Sequence, residues 1–245
     1  RVLLLGLAVG CTAQDGSRGA FEVSVHQSQE ISTVVELKWT PERPLVDAWV
    51  EVGEGPECSE RHPAHRNADG SWSAMLVGLA PGQAHWAQVQ ADVGDFISQS
   101  QEIELQIDSP PPWLPELELS IRDEERASGE FLVTSLLAEP SGPVMIDAEG
   151  RYVWWYKPYE GAEKVIRARL SRDGRSVLYL EPPQIDTALV NGRALVEVSL
   201  DGRRKENLWS GVGLHHDFVE LPDGTIGAIS YDARTVGEQR VLGDR

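Results

Sequence analysis

The stretch GLHHDFVELPDGTIGAISY, from Gly213 to Tyr231, contains two strand-like runs joined by a Pro-Asp-Gly link. Proline presets φ and glycine tolerates positive φ, so this link between alternating apolar runs predicts a β-hairpin. His215, His216 and Asp217 stand at the entrance of the first run. No other group of adjacent residues in the sequence has as many side chains that could bind a ligand or act in catalysis. The hairpin entrance is therefore the first candidate site.

Similar turns recur through the second half of the chain, with Asp and Gly at 147–150, 173–174, 201–202 and 223–224. Their glycines are 24, 28 and 22 residues apart, and each turn joins two strand-like runs. Two hairpins give a period near 50 residues, the size of one four-stranded propeller blade. A plain antiparallel meander would have the same turns. The aspartates are interpreted as turn formers rather than as acids or bases.

The first half of the chain is also predicted to be all-β, because apolar and polar residues alternate in runs such as 21–25 and 35–39. Residues 79–91, LAPGQAHWAQVQA, resemble the L-x-P-G-x-x-Y-x-x-x-V signature of fibronectin type III domains, with His85 at the tyrosine's place. The resemblance implies a seven-stranded β-sandwich, fibronectin III-like or immunoglobulin-like, over residues 21–108.

A proline run then separates the two halves. Residues 109–116 are predicted to be a Pro-rich linker, since consecutive prolines form a semi-rigid spacer. Residues 117–245 are predicted to form the first blades of a β-propeller that is incomplete in this chain. The predicted fold class is therefore all-β, a sandwich followed by part of a propeller.

The N-terminal residues 1–20 are predicted to be an export signal and a tether. An arginine, a short apolar run and small residues precede Cys11, which resembles a bacterial lipoprotein signal with Cys11 as the lipidation site. The alternative is an ordinary secretory signal with Cys11 paired to Cys58 in an oxidising compartment. Both interpretations predict an exported protein, and the first predicts a lipoprotein of the cell envelope, periplasmic or at the outer membrane or cell surface.

The net charge of −17 argues against nucleic acid or an anionic membrane as a partner, since both require basic patches. The expected contact with a membrane is only through the lipid anchor.

Cys58, His62 and His65 have side chains that could bind a metal, but their loop offers no convincing fourth ligand. No metal is expected. The sequence contains no P-loop, G-x-G-x-x-G, G-x-S-x-G or H-E-x-x-H motif, so no cofactor is predicted. The aromatic residues Tyr152, Trp154, Trp155, Tyr156 and Tyr159 are interpreted as core, with an aryl-binding pocket as the alternative.

The region from about Leu117 onward resembles the arylsulfate sulfotransferase family of bacterial β-propellers. The resemblance is carried by residues 129–134 and 144–156, by HHDFVELPDGTIGAIS at 215–230, and by residues 237–244. It implies a six-bladed propeller, often preceded by a small β-domain. The implied activity is sulfuryl transfer from an aryl sulfate to a phenolic acceptor without a nucleotide donor, through a sulfurylated histidine at the mouth of the central channel.

The resemblance implies that His215 or His216, with Asp217, binds and orients the sulfuryl group. Neighbouring strand residues point to opposite faces, so at most one histidine should face the channel unless the backbone is irregular there. Residues 117–245 suffice for about two to three blades, and the family's nucleophilic histidine comes from a later blade. This chain alone is therefore expected to be inactive. The alternative function is a non-catalytic, surface-anchored propeller that binds carbohydrate, peptide or an envelope protein.

Overall fold

The computed structural model describes the chain in seven stretches, residues 21–55, 60–120, 131–137, 139–158, 164–181, 193–236 and 239–244. Within them all regular secondary structure is β-strand and no helix occurs, which confirms the all-β prediction. The described residues thus contain no helix that could cross a membrane. Cys11, Cys58 and Tyr159 lie outside the described residues, so the predictions about them stay predictions.

The first half of the described chain contains nine short strands, as its alternating apolar residues predict. They are β1 (Val23–Gln27), β2 (Val35–Trp39), β3 (Asp47–Gly53), β4 (Glu60–Pro63), β5 (His65–Arg66), β6 (Trp72–Leu76), β7 (Ala84–Asp92), β8 (Ile97–Gln99) and β9 (Ile103–Gln106). They form one sheet in the order β1-β2-β6-β5 and another in the order β4-β3-β7-β8, with β9 also paired to β7.

The second half of the described chain contains nine further strands. They are β10 (Phe131–Leu136), β11 (Gly142–Asp147), β12 (Tyr152–Trp155), β13 (Ile166–Leu170), β14 (Ser176–Glu181), β15 (Arg193–Ser199), β16 (Lys205–Glu220), β17 (Ile226–Val236) and β18 (Gln239–Asp244). Strands β10 to β12 form a three-stranded sheet, and β13 to β18 follow one another in a six-stranded sheet. Each strand pairs antiparallel with the next in both sheets.

The Asp-Gly turns are built as their sequence predicts. In the turn between β13 and β14, Gly174 has φ 71° and its N–H donates to Ser171 O over 2.9 Å. The Asp173 carboxylate accepts a hydrogen bond from the Arg175 N–H over 3.1 Å. The same arrangement of a positive-φ glycine and an accepting aspartate occurs at the other three turns, with Asp147, Asp201 and Asp223. Their interpretation as turn formers is confirmed.

The described residues group into two compact units. The first contains the described residues within Arg1–Ser24, Leu37–Ala74 and His85–Leu105. The second contains Val25–Glu36, Met75–Ala84 and the described residues within Gln106–Arg245. Long-range hydrogen bonds hold the second unit together. For example, the Trp155 indole N–H donates to Glu30 O over 3.0 Å, and the buried Thr33 hydroxyl donates to Val153 O over 2.7 Å.

In the first unit, the pairing of β3 with β7 aligns their buried residues. Ala48 pairs with Ala91, Val50 with Val89 and Val52 with Ala87, and all six side chains are buried. A shift of this register by one residue would turn the whole apolar set to the other face of the sheet. The apolar alternation therefore fixes the register of these strands.

In the second unit, β14 is buried on both of its faces. Val177 and Tyr179 belong to an apolar cluster with residues of β11 and β12, whereas Leu178 and Leu180 belong to a cluster with Leu214 and Phe218. Neighbouring strand residues point to opposite faces. The sheet around β14 is therefore covered on one face by residues of β11 and β12 and on the other by the end of β16.

An ion pair with a buried carboxylate ends β14. The Glu181 side chain is 2% exposed, and the Lys205 ammonium lies 3.0 Å from each of its carboxylate oxygens. The Tyr179 hydroxyl donates to the same carboxylate over 3.4 Å. Because a buried carboxylate is costly without partners, these bonds tie the first residue of β16 to the last residue of β14.

The hydrogen bonds of Asp69 predict that the folded state loses stability at low pH. Hydrogen bonds from the Ser71 hydroxyl and backbone, and then the Lys38 ammonium, lower the pKa of Asp69 from 3.8 to about 2. A lowered folded-state pKa stabilises the fold above pH 3.8, and that contribution is lost as the pH falls towards 2. Wild type should therefore lose more stability than Asp69→Asn between pH 5 and pH 2, measured by urea unfolding.

Ser71→Ala is the matched variant, because it keeps the carboxylate and removes the strongest donor. Its loss of stability over the same pH interval should lie between those of wild type and Asp69→Asn. Parallel losses in wild type and Asp69→Asn would show that Asp69 does not carry this sensitivity.

Candidate functional site

The predicted histidine segment lies where β16 changes its pairing. This 16-residue strand pairs first with β15 and then with β17, and the register with β17 shifts between Leu214 and Phe218. His216 is exposed and has φ 64°, in the left-handed region. The backbone is thus irregular at the histidines, so strict alternation of side chains does not apply there. The side chain of His215 lies outside the described part of the chain.

A second irregularity lies on β13. The register between β13 and β14 shifts between Ile166 and Arg169, and Arg167 in this interval has φ 55°. Among the described residues, the non-glycine residues with positive φ are Lys164, Arg167 and His216. This conformation costs about 1–2 kcal/mol for a residue with a Cβ, and such strain is often retained at functional sites.

The carboxylate of Asp217 joins the two irregular segments. Arg167 donates to it through Nε over 2.6 Å and through Nη2 over 3.1 Å, so the pair is bidentate. Arg169 donates through Nη2 over 3.3 Å, and the Phe218 N–H donates over 2.7 Å. Burial alone would raise the pKa of Asp217, but the hydrogen bonds from Arg167, Phe218 and Arg169 hold it below its ordinary value. The carboxylate is therefore ionised and firmly held at neutral pH.

Arg169 is partly buried and only partly paired. Its guanidinium carbon lies 6.0 Å from the ring centroid of Phe218, which is 3% exposed. Its Nε is buried and has no hydrogen-bond partner among the described residues. Buried polar atoms usually have a partner, so this N–H is an exception among the buried donors of the described residues.

Three strands that are not paired with one another in a sheet, β10, β13 and β16, come close together at this point. β10 contacts β13, and β13 contacts β16. The Ala168 N–H on β13 donates to the Ser135 hydroxyl on β10 over 3.1 Å, and the Arg172 N–H donates to the Glu220 carboxylate on β16 over 2.8 Å. We call Arg167, Arg169, His216 and Asp217 the β13–β16 cluster.

Two of the four residues in this cluster, His216 and Asp217, are predicted site residues of the sequence motif, and their role stays a prediction. The arginines that bind Asp217 are not part of that motif. The signal for them is the run IRARL at 166–170, in which two arginines alternate with apolar residues. Alternating arginines in an otherwise apolar strand are unusual, but nothing local indicates that they meet a carboxylate about 50 residues away.

The structure also describes most of the aromatic and potential metal-binding residues singled out in the sequence. Tyr152, Trp154 and Trp155 are buried in the apolar cluster of the second unit, which confirms their interpretation as core. The Nε2 of His62 lies 3.7 Å from the Glu60 carboxylate. The described residues hold no group of three or more potential metal ligands.

Comparison with known proteins does not assign this chain to a family. No protein-family model matches the chain, and no curated protein matches it. The resemblance to the arylsulfate sulfotransferases therefore rests on the quoted motifs and stays a prediction. The geometry of the cluster is the independent basis for a functional hypothesis.

The cluster can bind an oxyanion. Each guanidinium has five N–H donors, and the bonds to Asp217 engage two from Arg167 and one from Arg169. The side chains of the two arginines and the aspartate together carry one net positive charge. Charge-assisted hydrogen bonds of this kind are roughly twice as strong as neutral ones.

The left-handed conformation of His216 predicts which of two substitutions at this position destabilises the fold more. Asparagine tolerates the left-handed region and β-branched residues do not, so His216→Val should be less stable than His216→Asn by about 1 kcal/mol in urea unfolding. The exposed Glu206 on the same strand has no positive φ and provides the control. At this position the Glu206→Val variant should be at least as stable as the Glu206→Asn variant, because valine favours strands. The same order at both positions would contradict the left-handed assignment.

Proposed function

We propose that this chain is an exported, arylsulfate sulfotransferase-like protein with a fibronectin III-like sandwich and propeller blades. Its β13–β16 cluster binds the sulfuryl group of an aryl sulfate for nucleotide-independent transfer to a phenol. The observation that carries the proposal is the convergence of Arg167 and Arg169 on Asp217, which directly follows the left-handed His216, at two strained strand segments. Export and lipid anchoring at Cys11 rest on the sequence of residues 1–11 alone.

The packing of the second unit supports the propeller part of the proposal. In a propeller, four-stranded antiparallel sheets stand face to face and their inner strands lie side by side. β13, β14, β15 and the first part of β16 form such a meander, and β14 is covered on both faces. β13 contacts both β10 and β16, as the inner strands of successive blades would. The described residues do not form a closed ring of sheets.

The chemistry of sulfuryl transfer fits the donors of the cluster. The three peripheral oxygens of a sulfate ester share one negative charge, which guanidinium N–H groups can bind in both ground and transition states. In the first step a histidine nitrogen attacks sulfur, the bond from sulfur to the aryl oxygen breaks, and phenolate leaves. In the second step the acceptor's oxygen attacks sulfur and the sulfur–nitrogen bond breaks, while the acceptor's proton passes to a base or to water.

The roles proposed for the cluster are those of binding and orientation. Arg167 and Arg169 would hold the sulfuryl oxygens, and His216 directly precedes on β16 the aspartate that they bind. Asp217 fixes the guanidinium of Arg167 through a bidentate pair. The attacking histidine is not assigned to a residue of this chain.

A non-catalytic binding role is the second candidate, and one observation favours it. The first unit has a cavity of about 430 Å³ lined partly by the aromatic side chains of Phe21, Trp39 and Phe96. The buried indole N–H of Trp39 has no hydrogen-bond partner among the described residues. A cavity of this size is large enough for a small ligand with a hydrogen-bond acceptor.

Calorimetric titration of the full chain with 4-nitrophenyl sulfate tests the proposed function. Arg167→Ala and Arg169→Ala should each weaken binding about tenfold, the usual effect of losing a charge-assisted hydrogen bond. Arg66→Ala, on the first unit, removes the same charge and should leave the affinity unchanged. Equal affinities in all four proteins would contradict the proposal, and binding that only Phe96→Ala weakens would favour the second candidate.

A further inference from the structure

The charge of the β13–β16 cluster is set by Asp217, and this has a consequence for ligand choice. We infer that Asp217 is a specificity residue, whose carboxylate admits monoanionic sulfate esters and disfavours dianionic phosphate esters of the same shape. This inference rests on the proposed function, because it assumes that the cluster binds the sulfuryl group. It assigns to Asp217 a role in rejecting the wrong ligand as well as in orienting the right one.

The charges of the two ester classes differ at neutral pH. A sulfate monoester carries one negative charge, whereas a phosphate monoester carries about −1.5 to −2, since its second pKa is near 6. Without Asp217, the two guanidinium groups would offer two positive charges, which match the phosphate ester. With Asp217 ionised, one net positive charge remains, which matches the sulfate ester.

The geometry prevents the carboxylate from leaving easily. One carboxylate oxygen of Asp217 accepts bonds from Arg167 over 2.6 Å, from Arg169 over 3.3 Å and from the Phe218 N–H over 2.7 Å. The backbone donor belongs to the neighbouring residue, so the oxygen stays in place even when an arginine moves. A ligand that displaced Asp217 from both arginines would still leave its charge beside them.

An oxyanion bound to the remaining N–H groups of the same guanidiniums would therefore lie near this carboxylate. A guanidinium is small and planar, with its five donors in a fixed fork. Two unit charges about 4 Å apart in an exposed setting repel enough to change an affinity about fivefold. The second charge of a phosphate ester meets this additional repulsion and the sulfate ester does not. The cluster would therefore discriminate against the phosphate ester through electrostatic repulsion by the Asp217 carboxylate.

Glu220 supplies a matched control for charge. It lies three residues beyond Asp217 on β16, and its carboxylate accepts a hydrogen bond from the Arg172 backbone N–H over 2.8 Å. Glu220→Gln removes the same unit of charge from the same strand and keeps an oxygen that can accept this bond. Any effect of net charge alone would appear in both variants.

The test is to measure the dissociation constants of 4-nitrophenyl sulfate and 4-nitrophenyl phosphate for the full chain at pH 7.5 and low salt. Asp217→Asn should shift the ratio of the two affinities towards the phosphate ester by about fivefold. Glu220→Gln should leave the ratio within twofold of wild type. If Asp217→Asn does not fold, Asp217→Ser removes the same charge with a smaller side chain and should shift the ratio in the same direction.

The outcomes separate this inference from the proposed function. If wild type binds the sulfate ester and the ratio is unchanged in the Asp217 variant, the specificity role is wrong and the proposed function stands. Equal shifts in the Asp217 and Glu220 variants would also overturn it, because the effect would then be one of net charge. If wild type binds neither ester, the proposed function fails and this inference fails with it.

Discussion

The carboxylate of Asp217, held by two arginines of another strand, is the constraint on which the candidate site depends. It joins the irregular segment of β13 to that of β16, and each segment contains a non-glycine residue in the left-handed region. Strained conformations persist where surrounding interactions determine them, and this ion group supplies such an interaction. Because all three charged side chains are about two-fifths exposed, the ion group adds little stability on its own. Its importance lies in orientation and in the net charge presented to a ligand.

Much of the fold could be predicted from local sequence because local chemistry determines it. Asp173 and Gly174 illustrate this: the glycine supplies positive φ and the aspartate accepts the backbone N–H two residues on. The alternation in β3 and β7 likewise contains the information that aligns their buried residues. These signals act over two to four residues, so a single sequence reveals them. They predict strands and turns well, but not which sheets lie against one another.

The rest depends on residues that are distant in sequence. Nothing in the run IRARL indicates that Arg167 meets Asp217, and nothing in the motif HHDFVE indicates a left-handed His216. The grouping of residues 25–36 with the second unit is also non-local, since it involves bonds such as that from the Trp155 indole to Glu30. The motif therefore located one side of the candidate site, and the packing of β13 beside β16 supplied the other.

Binding of an aryl sulfate at the β13–β16 cluster can be tested most directly by observing His216 during the titration. In a histidine side-chain NMR spectrum of the full chain, the signals of His216 are those that disappear in His216→Gln. If the β13–β16 cluster binds the ester, 4-nitrophenyl sulfate should shift these signals more than those of the other histidines among the six in the chain. Saturable binding that leaves the His216 signals in place, while signals of another histidine move, would contradict binding at this cluster.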